Sequence, residues 1–510
     1  MDIIGKILRR LLSADENREE EVISKNKSIS SNAVKEVFND CYDFESRNIA
    51  IGGYGHIKGE LVFVDGLVSG KSIAEQVIRP LTSIGRFGLC RDSSDAVRLM
   101  MSGSVYGYTA KERTDIEDVI SDILNGFCAI IFDDLKKAVT FEVKSEEKRS
   151  IDKPKEEKVV KGSKDAFIEI LKSNTTLIRK KLRDPNLKIK QVMVGSKSKT
   201  AVGIVYIEDY TNTEMVTHVI NRIKAIKIDG VLTSAAIEET IADQPKTPFP
   251  QLITTERPDK FCMNLLEGRV GILVDGLPVG YLAPGTFAQF FKVPEDIANH
   301  YLIASALTIL RYLAIALTLL LPAFYVGVAM YHQEMIPLRL LQSMIDAKQS
   351  VPFPTGFEVI AMLIAFELLQ EAGLRLPDPI GQTVSIIGAL VVGQSAVEAK
   401  VVSPVVVVIV AVAGIAGYTV PNQDMSAALR ICRFLLVIIT VIAGMFGLAI
   451  GCSLILYHLC TLDSFGVPYM TPFAGNGGRG LKRALSRRQM RKYISREDAL
   501  KTKLKDRSEG

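Results

Sequence analysis

From Tyr301 to Tyr331 the chain is apolar with a single interruption, Arg311. About 20 apolar residues suffice to cross a bilayer, so this run forces a membrane reading on whatever surrounds it. Residues 313–331 are long enough to span, leaving 297–311 as an interfacial segment from which Arg311 snorkels toward head groups. Further spans are expected at about 404–421 and 434–459. The 510-residue chain thus divides into a water-compatible part, 1–296, and a membrane domain, 297–463.

Charge inside the apolar region marks where that domain does something. Between residues 352 and 404 the apolar sequence is broken by Glu358, Glu367, Glu371, Arg375, Asp378 and Glu398. A charge at bilayer depth costs roughly 2.5 to 3.5 kcal/mol even on insertion scales, so these groups must face protein, water or the interface. The pattern predicts a helix from Phe357 to Glu371 stopped at Gly373, a turn carrying Pro377 and Pro379, and a second helix from Gly381 to Ala399. Broken helices of this kind persist where protein or a wet cavity satisfies their backbone. Ser385, Gly388, Gly393 and Gln394 punctuate the second helix. They serve either close packing or the lining of a wet path, and the carboxylates either attract cations or pair with Arg375 and Lys400 at the interface.

Topology follows from the tail. The last 32 residues hold twelve Lys and Arg, which places 464–510 in the cytoplasm by the positive-inside rule. The N-terminal part opens with Lys6, Arg9 and Arg10 among its apolar positions, unlike a signal peptide, so it is cytoplasmic as well. Both ends inside require an even number of crossings. With segment 356–372 left re-entrant or interfacial, about four spans remain.

Ahead of the membrane domain, an amphipathic segment 1–30 is followed by two α/β units, 31–143 and 165–296, joined by a charged linker, 144–164. Strand, acidic turn and helix at 60–81 recur at 201–223, and the hairpin at 129–143 recurs at 270–282, an offset of about 142 residues that indicates duplication. The fold class expected is therefore an α+β region of two similar α/β subdomains followed by an all-α polytopic membrane domain.

Several functions lose their footing. Gly66-Leu-Val-Ser-Gly70-Lys71-Ser72 is one residue short of a phosphate-binding loop and fits a tight turn with Ser69 or Ser72 at a helix N-terminus. Seven cysteines without a CxxC pair and five histidines without ligand spacing give no metal site or disulfide framework. No catalytic constellation stands out, so neither an enzyme nor a cofactor is expected. Basic residues without interleaved aromatics argue against nucleic acid.

The stretches VVKGSKDAFIEILKSNTTLIRKKLRDPNLK (159–188), GRVGILVDGLPVGYLAP (268–284), LLPAFYVGVAMYHQEMIP (320–337), the whole of 352–404 and SFGVPYMTPFA (464–474) carry a resemblance. The chain resembles the A subunits of the GerA family of bacterial spore germinant receptors over most of residues 35–474. The resemblance implies a receptor component of the spore inner membrane that works with a transporter-like B subunit and a lipoprotein C subunit. It further implies an oligomer, a pentamer, forming a nutrient-gated channel for monovalent cations, with nutrient bound by the B subunit. In that scheme Ser385, Gly388, Gly393 and Gln394 face the path, while Glu358, Glu367, Glu371 and Glu398 supply charge at its mouths. The alternatives are an accessory paralogue acting with the dipicolinate channel, a secondary transporter or a scaffold.

Overall fold

A computed structural model describes residues 28–52, 57–83, 85–105, 110–145, 161–375, 391–474 and 496–504, with scattered positions in 154–159 and 482–487. The amphipathic stretch from Ile3 to Leu12 lies outside the described residues.

Two five-stranded antiparallel sheets build the N-terminal half. The first contains β1 (Phe44–Ile51), β2 (Ile57–Val64), β3 (Ala110–Arg113), β4 (Phe127–Phe132) and β5 (Lys137–Glu142) in the order β1-β2-β4-β5-β3. The second contains β6 (Leu187–Val194), β7 (Thr200–Ile207), β8 (Ile253–Thr255), β9 (Val270–Val274) and β10 (Gly280–Ala283) in the matching order β6-β7-β9-β10-β8. Register repeats too. Leu61 faces Ile130 in the first sheet and Ile204 faces Ile272 in the second, roughly 142 residues later. The duplication read from sequence is thus present as two copies of one topology.

In the first subdomain both sheet faces are covered from within. Leu61, Phe63, Ile130 and Phe132 pack under the helical segments 70–82 and 93–104. Val62, Val64, Ala129 and Ile131 pack under α1 (Ser31–Val37) and α2 (Ile116–Leu124). A strand buried on both faces has no polar alternation, which is why β4 reads FCAIIF. Asp115 starts α2 by accepting a hydrogen bond from the Glu117 amide, so one of the helix's open N-terminal donors is satisfied.

The second subdomain adds α3 (Leu171–Lys181), α4 (Thr213–Ala225), α5 (Ser234–Ile241) and α6 (Pro258–Leu266). One face, with Ile204, Ile272 and Tyr281, carries α4 and α5 together with Phe465, Val467 and Leu500 from the C-terminal region. The other face, with Ile189, Val205 and Leu273, packs on α3 and α6 and then continues into the helical bundle through Ile315, Met425, Leu429 and Leu459. The joint between subdomains is polar: the Arg179 guanidinium donates to both oxygens of Asp43 at 2.8 and 2.9 Å, with both side chains buried. Linker residue Glu157 is pinned by Lys260 at 2.6 Å.

The bundle comprises α7 (Tyr301–Tyr331), α8 (Leu338–Lys348), α9 (Thr355–Arg375), α10 (Pro404–Gly417) and α11 (Gln423–Thr461). Among the described residues two helices, α7 and α11, are long and apolar enough to cross a membrane, and α10 is a shorter apolar helix. Several expectations change here. Residues 301–331 form one continuous helix rather than an interfacial piece and a span. Arg311 does not snorkel: it donates to both oxygens of Asp296 at 2.6 and 2.9 Å and to the Phe291 carbonyl. An ion pair with the second subdomain is available at that depth, and it satisfies the charge without reaching for head groups.

The stretch expected as one span, 434–459, is longer and doubles back. At Gly444 the backbone leaves the helix with φ +61° and ψ −148°, a conformation open mainly to glycine. A Cβ on Gly447 would meet the Ile439 carbonyl at 2.6 Å, and one on Gly451 would meet Leu436 at 2.6 Å. Such contacts require residues 423–443 and 445–461 to run as antiparallel arms. The fold-back frees the Val441 carbonyl, to which the Tyr331 hydroxyl donates at 2.6 Å. Both arm ends return to the second subdomain, since Met425 and Leu459 share its core.

Helix α9 is also longer than expected, starting at Thr355 and passing through Gly373 to Arg375. It runs the depth of the bundle, from Gly356 against Val441 at the distal end to Glu367 against Arg430 at the end nearest the α/β head. The helix expected over 381–399 is described only from Val391, as a wide π turn to Ser395 and a short helix Ala396–Glu398.

Candidate functional site

The charged groups of α9 lie at its two ends. Near the distal end Glu358 is 1% exposed. One carboxylate oxygen accepts from the Ser403 amide at 2.7 Å, and the other lies 3.9 Å from Lys348 Nζ without a hydrogen bond. Ser403 immediately precedes α10, so the carboxylate sits where that helix's open amides and positive dipole end favour an anion. Glu358 therefore ties α9 to the start of α10.

Near the head-proximal end Glu367 faces two arginines of α11. Arg430 donates to Glu367 Oε1 at 2.5 Å and to Gln370 Oε1 at 3.3 Å. Arg433 Nη2 stops 3.9 Å from Glu367 Oε2, too far for a hydrogen bond. Arg433 is 2% exposed, and its Nε and Nη2 have no hydrogen-bond partner among the described residues. Close helix contact makes this packing possible: a Cβ on Gly414 of α10 would meet the Phe366 ring at 2.4 Å.

The remaining sequence-derived positions spread out. Glu371 and Glu398 are exposed. Gln394 donates to Glu398 at 3.0 Å, one turn away. Gly393 lies beside α10, where an added Cβ would be 3.7 Å from Val407. Ser385 and Gly388 lie outside the described residues, as does the Arg375 side chain. The structure thus brings together Glu358 with Lys348 and Ser403, and Glu367 with Arg430, Gln370 and Arg433. Sequence reading missed these partners. The signal was the RICRF run at 430–434, two arginines at the head of an apolar segment.

A second polar locus joins head, bundle and tail. A cavity of about 310 Å³ is bounded by α6, the start of α7 and tail residues including Arg487 and Glu497. Arg269, fully buried, donates to Glu497 at 3.1 Å, and Lys292 lies 3.6 Å from the same carboxylate. Burial pushes the Glu497 carboxyl up, but these two cations outweigh it and hold it below the ordinary range. Arg496 stacks on the Tyr210 ring at 3.6 Å. The tail is strapped to the second subdomain at this point.

Glycine 66, with φ +91°, makes the turn after β2. Ser69 caps the following helix by accepting from the Ser72 amide, and Asp65 pairs with Lys172 at 2.7 Å. The segment is used as a turn between the subdomains.

A duplicated α/β head whose second copy shares its core with long apolar helices is the architecture of a membrane protein with an α/β domain attached to its helices. The chain matches the family model described as Bacillus/Clostridium GerA spore germination protein over residues 32–499, and it belongs to that family. Spore germination protein KA of Bacillus subtilis is 37% identical, with 86% of this chain and 80% of the relative covered. An uncharacterized membrane protein of the same organism, YfkQ, is 36% identical over 91% and 89%. Spore germination protein GerLA of Bacillus cereus is 34% identical over 85% and 87%. The crystal structure of the N-terminal domain of the A subunit of the Bacillus megaterium germinant receptor GerK3 aligns with 52% of this chain and 97% of that one, at 27% identity and a TM-score of 0.40.

Proposed function

We propose that this chain is the A subunit of a nutrient-responsive germinant receptor in the spore inner membrane, assembling with B and C subunits and with copies of itself, as a pentamer, into a gated path for monovalent cations. The observation that carries the reading is family membership over 32–499, together with a carboxylate-bearing helix, α9, that runs the depth of an apolar bundle. Head and tail face the spore core in this scheme, in keeping with the basic tail and with a chain whose last helical arm returns to the head. The stretch 381–399, the second helix expected from sequence, provides the path in this scheme, with Ser385, Gly388, Gly393 and Gln394 toward it. Exposed Glu371 and Glu398 are the carboxylates placed to attract cations, since rings of such groups favour them. Glu358 and Glu367 belong to the same set, and their packing contacts also let them hold the helices that shape the path. Gating is a shift in population, driven by whatever differential affinity nutrient has for the open assembly.

The test is potassium efflux from cells that express the chain with its B and C partners, before and after a nutrient mixture. Wild type is expected to release potassium on nutrient addition. Gly388→Leu and Gly393→Leu are expected to abolish release while assembly, followed by co-purification, is retained. Normal flux through well-assembled variants would remove both residues from the path. Absence of nutrient-triggered flux in the wild-type complex would favour the accessory or scaffold role.

A further inference from the structure

The two arginines at the head of α11 carry more charge than their surroundings cancel. Arg430 and Arg433 face one carboxylate, Glu367, and one neutral amide, Gln370. Among the described residues the cluster keeps one net positive charge, and Arg433, 2% exposed, presents Nε and Nη2 without a hydrogen-bond partner. Arg430 Nε is likewise buried without a partner. Burying an unpaired charge is costly, so a site built this way is complete only when an anion joins it. Residues three apart on a helix share a face, and guanidinium N–H groups are donors of the kind that phosphate accepts.

The height of the cluster in the bundle says where that phosphate comes from. Apolar side chains exposed along the first arm of α11 begin at Ile431 and continue through Leu435, Ile438 and Ile442. Arg430 sits at the lower edge of this stripe. At the same level Tyr418, which neighbours Phe366, is 66% exposed, and Tyr457 on the returning arm is 71% exposed. Tyrosines at the edge of an apolar band mark the membrane–water interface. A second aromatic edge, with Tyr331, Phe353 and Phe357 exposed, closes the band at the distal end. On α11 the exposed apolar stripe therefore ends at the arginine pair, on the side of the α/β head, while on α7 exposed Leu302, Ile303, Ile309 and Leu310 continue beside the head.

We infer that Arg430 and Arg433 form a binding site for the phosphate of an anionic lipid, wedged between α9 and α11. The inference rests on the reading of these helices as membrane-embedded. Lipid phosphate takes the partner-free nitrogens of Arg433 and Arg430 Nε, leaving Glu367 on Arg430. Occupancy locks α9 against α11 and so couples lipid composition to the position of the carboxylate-bearing helix.

The experiment is thermal unfolding of the purified full-length chain in neutral detergent, titrated with phosphatidylglycerol or phosphatidylcholine. Wild type is expected to gain melting temperature with phosphatidylglycerol beyond any gain with phosphatidylcholine. Arg433→Gln is expected to raise the half-saturating phosphatidylglycerol concentration about fivefold, as loss of one basic contact worth about 1 kcal/mol requires. Glu367→Gln removes the competing carboxylate and is expected to lower that concentration, an effect in the opposite direction that no loss of folding imitates. An unchanged titration in both variants overturns the site. So does full reproduction of the gain by millimolar inorganic phosphate, which would make the ligand a free anion. A defect of Arg433→Gln confined to self-association, with the lipid response intact, would assign the arginine to a carboxylate of a second copy. Carbonate extraction of membranes separates failure of the site from failure of the premise: a chain released by carbonate is not embedded, whereas a retained chain indifferent to phosphatidylglycerol lacks the site.

Discussion

The two α/β subdomains share strand order and register, yet they end in different circumstances. The first closes both faces of its sheet with its own helices. The second closes one face with α4, α5 and the C-terminal residues and gives the other, beyond α3 and α6, to the start and end of the bundle helices. A duplicated fold thus supplies one self-contained unit and one whose core cannot be completed without the membrane domain. Mechanical coupling is set by this asymmetry: movement of α7 or α11 disturbs the second sheet directly, and reaches the first across a joint that includes the buried Asp43–Arg179 pair, Lys188 on the Val37 carbonyl and the Tyr42 amide on the Ile189 carbonyl.

That joint is the most direct place to undo the asymmetry. Arg179 and Asp43 are nearly inaccessible to water, so Asp43→Ala leaves an uncompensated buried guanidinium and should cost about 3 to 5 kcal/mol. Thermal unfolding of the full chain in detergent would show the midpoint falling by several degrees. A change under one degree would mean that the subdomains do not depend on this pair.

Leu429→Ala tests the shared core. Leu429 is 4% exposed and packs with the second sheet's membrane-side face, so the lost methyls and the cavity should cost about 3 kcal/mol. Hydrogen exchange should rise in β6, β7 and β9 while β2 and β4 keep their protection. Equal loosening of both sheets would show that the first subdomain is not independent of the bundle.

The smallest effect separates the two subdomains by pH. Glu238 on α5 is half-buried near Asp424 at the start of α11, and burial, with that charge second, pushes its carboxyl up to about 7. The folded protein holds this proton where the unfolded chain has already released it, so the contribution of Glu238 is fully present below about pH 4.5 and is lost as pH rises from there through about 7. Glu238→Gln should therefore melt above wild type at pH 8 and together with it near pH 4.5. A gap that persists at pH 4.5 would trace the effect to something other than this proton.

Much of the head was legible because its signals are local. Continuous apolar strands such as 127–132, acidic turns such as Asp65-Gly66 and the recurrence near 142 residues are all properties of short stretches. The membrane domain was less legible. Apolar length identified 301–331, but the fold-back at Gly444 looks, in sequence, like one more glycine in an apolar run. The partners of Glu358 and Glu367 were invisible for a related reason: Ser403 lies 45 residues from Glu358 and Arg430 lies 63 from Glu367, and nothing local encodes such pairings.

Residue type and spacing were enough to specify a duplicated α/β head, an apolar second half and a set of charges that apolar surroundings could not leave alone, because secondary structure and partition into lipid follow from them. Tertiary packing settled which charges neutralise one another, that α11 is two antiparallel arms, and that Arg433 Nε and Nη2 have no hydrogen-bond partner among the described residues. Those outcomes depend on which helices lie side by side, and helix neighbours are chosen by packing across the whole bundle.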